Sequence, residues 1–151
     1  MIRFILPLLF ATPAFAYDAN GVAPGDSEGM VRKQFPSAFC KPLEWSSDAA
    51  DRRCDDAKAN LGGVSGRITF YLKHDRVQAF DLRFDNRDAE RLVAYLKKHY
   101  GAPVDESREK LYRVQWEKGD QRAVVVAQGE KRRASLSVSR GKFEDEIYRI
   151  R

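Results

Sequence analysis

The residues able to do chemistry are few and widely spaced. Cys40 and Cys54 stand in the stretch FCKPLEWSSDAADRRCDD, and His74 and His99 lie far from both. A zinc site wants four nitrogen or sulfur ligands at short spacings, and the sequence has no C-x-x-C. The cysteines are therefore read as a bridge, ahead of a redox or intermolecular thiol. Asp48, Asp51, Asp55 and Asp56 could offer oxygens to calcium, but they do not fall on the alternate positions of a calcium loop, and Arg52 and Arg53 interrupt them. His74 reads as a turn residue and His99 as a partner for a helix C-terminus. The glycine run LGGVSG leads into a strand pattern and has no following lysine, unlike a phosphate-binding loop. These residues call for no catalytic site, no metal and no cofactor, and the expectation is a protein that is not an enzyme.

The cysteine reading follows from the N-terminus. MIRFILPLLFATPAFA has one early cation, Arg3, an apolar run, and a small-residue ending at Ala14-Phe15-Ala16, the pattern of a signal peptide over residues 1–16. The run is far shorter than the roughly 20 apolar residues of a membrane span, so no membrane anchor is expected after cleavage. In an oxidising compartment a Cys40–Cys54 disulfide would close a loop of about 15 residues, worth on the order of 3 kcal/mol. Residues 17–151 are then a single periplasmic or secreted domain. The whole chain carries a formal charge of +5, with both signs interleaved. Nucleic acid is not an expected partner, because EKRR at 130–133 is too short to form a basic stripe.

The positioning elements are legible in part. PGDSEGMVRKQFP reads as a short helix capped by Asp26 or Ser27. Residues 37–66 show no sustained period and read as a stapled loop. RITFYLK and VQAFDLRF alternate with a period of two, as do LYRVQWE and RASLSVS, while QRAVVVAQ is apolar throughout and so central in a sheet. A second helix is expected, capped by Asp85 or Asn86 and stopped by Gly101 and Pro103, with Ala89, Leu92, Val93 and Leu96 on its apolar stripe. KFEDEIYRIR could add a short C-terminal helix. The order α-β-β-α-β-β-β predicts an α+β fold, an antiparallel sheet with helices packed on one face. For Phe70 and Phe80 to share a face, paired positions in the first hairpin must sum to an even number, which predicts a three- or five-residue loop around His74.

GVAPGDSEGMV, RITFYLK, VQAFDLRF and YLKKHYGAP together resemble small bacterial envelope domains of the kind represented by the small lipoprotein of the outer-membrane β-barrel assembly machine (BamE-like). Those domains are in turn similar to the repeat unit of β-lactamase inhibitor proteins. What the resemblance implies is a partner-binding role. The face opposite the apolar sets would display Thr69, Tyr71, Asp81, Arg83, Arg113, Gln115, Ser135, Ser137 and Ser139. Tyr71, Arg83, Arg113 and Gln115 are the candidate partner-binding residues, with Trp45 in the stapled loop as a second anchor. The expected function is a non-catalytic, soluble periplasmic module that binds another envelope protein, the alternative being an inhibitor or modulator of a periplasmic hydrolase.

Overall fold

The computed structural model describes residues 17–141 and 143; the expected signal peptide, and Ile147 and Ile150 of the expected C-terminal helix, lie outside them. Eight strands form one antiparallel sheet: β1 (Phe39–Pro42), β2 (Arg52–Leu61), β3 (Val64–Lys73), β4 (Arg76–Asp85), β5 (Asp105–Ser107), β6 (Tyr112–Lys118), β7 (Gln121–Ala127) and β8 (Arg133–Arg140). Their spatial order is β1-β2-β3-β4-β8-β7-β6-β5. The two α-helices bounded among the described residues are short, α1 (Glu28–Gln34) and α2 (Ala89–Tyr100). The expected α+β fold is thereby corrected: the protein is sheet-dominated, and its helices are too small to form a layer.

The error lay in residues 37–66, where β1 and β2 replace the expected loop. β1 spans only four residues. In β2 the register shifts between Asp56 and Ala59, so the alternation breaks halfway. The β2 residues buried on the core side are Cys54, Asp56, Ala59 and Leu61, a set poor in β-branched and aromatic types. Asp56 holds the irregularity by accepting the Lys58 N–H at 2.9 Å. The five strands expected from periodicity all form, and apolar β7 is interior as anticipated.

Register in the β3–β4 hairpin corrects a second inference. Phe70 does pair with Phe80, and their rings lie 5.6 Å apart in the core. Yet Lys73 pairs with Arg76, leaving a two-residue turn of His74 and Asp75, both in the left-handed region at φ 50° and 59°. A bulge reconciles the two: Leu72 pairs with Val77 but Tyr71 pairs with Ala79, so Gln78 is the extra residue that shifts the parity. The N-terminal segment docks on that bulge, with Gly25 N–H on the Val77 carbonyl and Val77 N–H on the Asp26 carbonyl, both at 2.7 Å.

One face of the sheet carries the main core. Ile68, Phe70, Leu72, Phe80, Leu82, Leu136, Val138 and Trp116 are buried there with Val31 of α1 and Leu92, Val93 and Leu96 of α2. Ser27 caps α1 by accepting the Met30 N–H. Asp85, anticipated as a cap for the second helix, caps the short 3-10 turn that precedes α2. The Trp116 indole N–H is satisfied by the Gly101 carbonyl at 2.9 Å, which ties β6 to the end of α2.

Candidate binding face

Cys40 and Cys54 sit directly opposite each other on β1 and β2 and form the expected disulfide. The bridge pins a four-residue edge strand that would otherwise have little to hold it. Glu28 of α1 lies alongside, its carboxylate bound by Arg52 at 2.8 Å. Glu28, Cys40 and Cys54 have ligand atoms within 4.8 Å of one another, but sulfurs joined to each other are not thiolates and cannot ligate as such. Among the described residues no helix is long and apolar enough to cross a membrane.

Strand register places all the expected outer-face residues on one side, in rows that cross the sheet. One row runs Asp55, Thr69, Asp81, Ser137, Val124, Gln115 and Asp105. It is wired by hydrogen bonds: the Thr69 hydroxyl donates to Asp55 at 2.6 Å, and the Ser137 hydroxyl donates to Asp81 at 3.1 Å. Two 2.8 Å bonds from Arg53 complete the Asp55 carboxylate. Burial pushes the Asp55 carboxyl up, but the Arg53 and Thr69 hydrogen bonds and the charges of Arg53 and Arg67 outweigh it and hold the group below the usual carboxylate range.

This face is not uniformly wet. Tyr71 is 4% exposed, and Thr69, Asp81 and Ser139 are also buried. Tyr71 and Ala79 belong to a small second core with Ala50 and Phe143, flanked by Leu43 and Ala49. The Tyr71 and Phe143 rings stand 5.9 Å apart, and Lys73 Nζ donates to the Asp48 carbonyl beside them. A partner therefore cannot reach Tyr71 as expected of an exposed anchor; its ring packs inside the protein.

Arg83 and Arg113 fall in a common row, Arg67, Arg83, Ser135, Val126 and Arg113. Gln115 sits one row over and donates to Glu117 at 2.6 Å, while Arg113 lies 3.8 Å from Asp105. Trp45 stands apart, 40% exposed in the loop after β1.

The open end of the face is a groove of about 630 Å³ lined by Arg67, Arg83, Arg132, Arg133, Asp85 and Gly66, among others. Arg67 and Arg83 are directly opposed on β3 and β4, an arrangement of like charges that is ordinarily unfavourable. Arg83 has Asp81 at 3.4 Å and Asp85 has Arg87 at 3.4 Å. Among the described residues, the side chains of Arg67, Arg132 and Arg133 form no ion pair or hydrogen bond. Asn86 fixes the loop that carries Arg132: its backbone N–H donates to the Arg132 carbonyl at 2.8 Å and its side-chain amide to the Lys131 carbonyl at 2.9 Å. Gly66 is required where β3 meets β4, because a Cβ there would lie 2.4 Å from the Arg83 carbonyl oxygen.

Arg67, Arg132 and Arg133 were not among the residues singled out from sequence. The signal for Arg67 was present: it alternates with Thr69 and Tyr71, and the even-sum pairing that aligns Phe70 with Phe80 also aligns Arg67 with Arg83. Arg132 and Arg133 were set aside as part of a short basic run, and only the fold shows which strands that run sits beside.

No family model and no curated protein sequence matches the chain. Among solved structures it is similar to a DUF4309 family protein, YjgB, from Bacillus subtilis, with 14% identity, coverage of 81% of this chain and 84% of that one, and a TM-score of 0.46. It is also similar to a GTP binding regulator, TM1622, from Thermotoga maritima, with 9% identity, 80% of each chain covered and a TM-score of 0.40. Likeness at this level carries no inference about ligand or activity.

Proposed function

We propose that this chain is a non-catalytic binding module of the bacterial envelope, exported to the periplasm, that holds another envelope protein against the open end of its outer sheet face. The observation that carries the reading is the groove itself: four arginines on and beside neighbouring strands of a hydrogen-bonded sheet, of which Arg67, Arg132 and Arg133 form no ion pair or hydrogen bond among the described residues. Arginine is a residue type that anchors protein interfaces, and the sheet fixes the backbone from which Arg67, Arg83 and Arg133 extend, so the ordering cost at binding is confined to the side chains, about 0.5–1.5 kcal/mol each. Export is supported by the Cys40–Cys54 disulfide together with the signal-like first 16 residues. The non-catalytic part of the reading is supported by the histidines: His74 is exposed in the β3–β4 turn, and His99 stacks on Tyr95 at 4.0 Å between ring centroids. Both positions match a turn residue and a helix end.

The test is capture from oxidised periplasmic extract with the processed chain, in parallel with Arg83→Ala, Arg133→Ala and with Trp45→Ala, followed by reconstitution with the purified partner. A one-to-one complex weakened about tenfold, or 1.4 kcal/mol, by the arginine variant and unchanged by Trp45→Ala is the expected result. Failure of any partner to form a stoichiometric complex with the wild-type chain would overturn the reading. A partner enzyme whose turnover falls on mixing would make the module an inhibitor.

A further inference from the structure

We infer that the groove between β3, β4 and the β7–β8 loop is an anion site that takes an acidic segment of the partner protein, with Arg67, Arg83 and Arg133 as the recognising residues. The inference deepens the binding-module reading and rests on it.

Three observations point to a ligand of that charge. The first is the Arg67–Arg83 pairing across β3 and β4. Like charges on directly paired residues are unfavourable, and Asp81, at 3.4 Å from Arg83, offsets only one of the two; an anion bound between them relieves the remainder and gains charge-assisted hydrogen bonds. The second is the balance of the lining: four arginines face a single carboxylate, Asp85, and that carboxylate is already engaged by Arg87 at 3.4 Å. Elsewhere on the same face the opposite holds, since Asp55 is matched by Arg53 and Thr69. The third is preorganisation. The Asn86 bonds fix the backbone at Lys131 and Arg132, and Asp85 and Arg133 pair in register at the mouth of the groove.

Geometry favours carboxylates on an extended chain. Arg67 and Arg83 stand on adjacent strands, about 4.8 Å apart, and Arg133 lies one strand further over and one row along, a further step of about 6.8 Å along the strand direction. The site thus presents several separated forks. An extended acidic peptide offers carboxylates at a comparable spacing on alternate residues, about 6.8 Å, and each fork can bind one bidentately.

The test uses fluorescein-labelled hexaglutamate, read by anisotropy, with phosphatidylglycerol vesicles as the competing anionic source. The variants are Arg67→Glu, Arg133→Glu and, as a milder pair, Arg67→Ala, Arg133→Ala; the control is Lys33→Glu, Lys98→Glu, which makes the same charge change on exposed helix positions. Wild-type chain should bind the peptide with an affinity that falls as salt rises. The glutamate variant should lose at least about tenfold, the alanine variant several-fold, and the control less than twofold, with thermal melts confirming that all remain folded. Equal loss in the control, no peptide binding by wild type, or vesicle binding that depends on Arg67 and Arg133 while hexaglutamate does not bind would each overturn the inference. If the captured partner binds wild type and the groove variants equally, this inference and the placement of the partner in the groove both fall, and only a partner bound elsewhere on the module stands. If hexaglutamate binds through the groove yet no partner forms a complex, the module reading falls and the anion site remains.

Discussion

The two ends of the outer sheet face are built from the same strands and diverge in what covers them. At one end Tyr71 and Ala79 are sealed under Ala50 and Phe143; at the other, Arg67, Arg83 and Arg133 line an open groove. The rows between carry a hydrogen-bonded ladder of Asp55, Thr69, Asp81 and Ser137. One face of one sheet thus divides its labour: the sealed end adds a second small core that steadies the sheet, and the open end is left with more arginines than carboxylates. Stability and binding should therefore separate along the strands of this face.

Substitutions at each end should show the division separately. Tyr71→Ala should have the largest effect, a loss of about 4 kcal/mol from removing a buried aromatic, read by urea denaturation, with hexaglutamate affinity unchanged in the folded fraction. Intact stability with abolished peptide binding would place the two ends the wrong way round. Replacing both cysteines, Cys40→Ser with Cys54→Ser, should cost about 3 kcal/mol and again spare the groove, checked by comparing melts with peptide titrations.

Asp55→Asn should cost about 1–3 kcal/mol at neutral pH, because it weakens bonds between a charged acceptor and Arg53 and Thr69. Its pH dependence has a definite sign. The folded carboxyl is held below its ordinary value, so its contribution is full above the unfolded value of about 4 and is lost as pH falls through the depressed folded value. Wild type and Asp55→Asn should then converge in strong acid, measured as melting temperature against pH. The smallest effect belongs to Arg67→Gln: a stability change within about 0.5 kcal/mol, because relief of the like-charge pair with Arg83 is offset by the lost attraction of Arg67 for Asp55, with weakened peptide binding. A large destabilisation would show that Arg67 is structural.

How much of this was legible depended on which period survived in the chain. The strands around Phe70, Phe80, Trp116 and Leu136 alternate cleanly, so their existence, and the side of the sheet on which Arg83 and Arg113 lie, could be read directly. The bulge at Gln78 could not, because an extra residue changes register without changing composition. β2 was hidden for a related reason: the shift between Asp56 and Ala59 breaks its alternation. Tyr71 was assigned to the correct face and the wrong environment. Face follows from the period of two, whereas burial on that face depends on the segment around Ala49 and Ala50 and on Phe143, which come from distant parts of the chain. The cysteine bridge was readable from residue count and the signal-like start; the arginine groove needed β3, β4 and β8 to be set side by side.

The most direct test of the divided face is a backbone amide chemical-shift map of the folded chain titrated with hexaglutamate. Shifts are expected at residues 65–67, 83–85 and 132–135, with the amides of Leu43, Tyr71 and Ala79 undisturbed. Shifts concentrated around Tyr71 and Ala79, or spread evenly over exposed lysines and arginines, would contradict it.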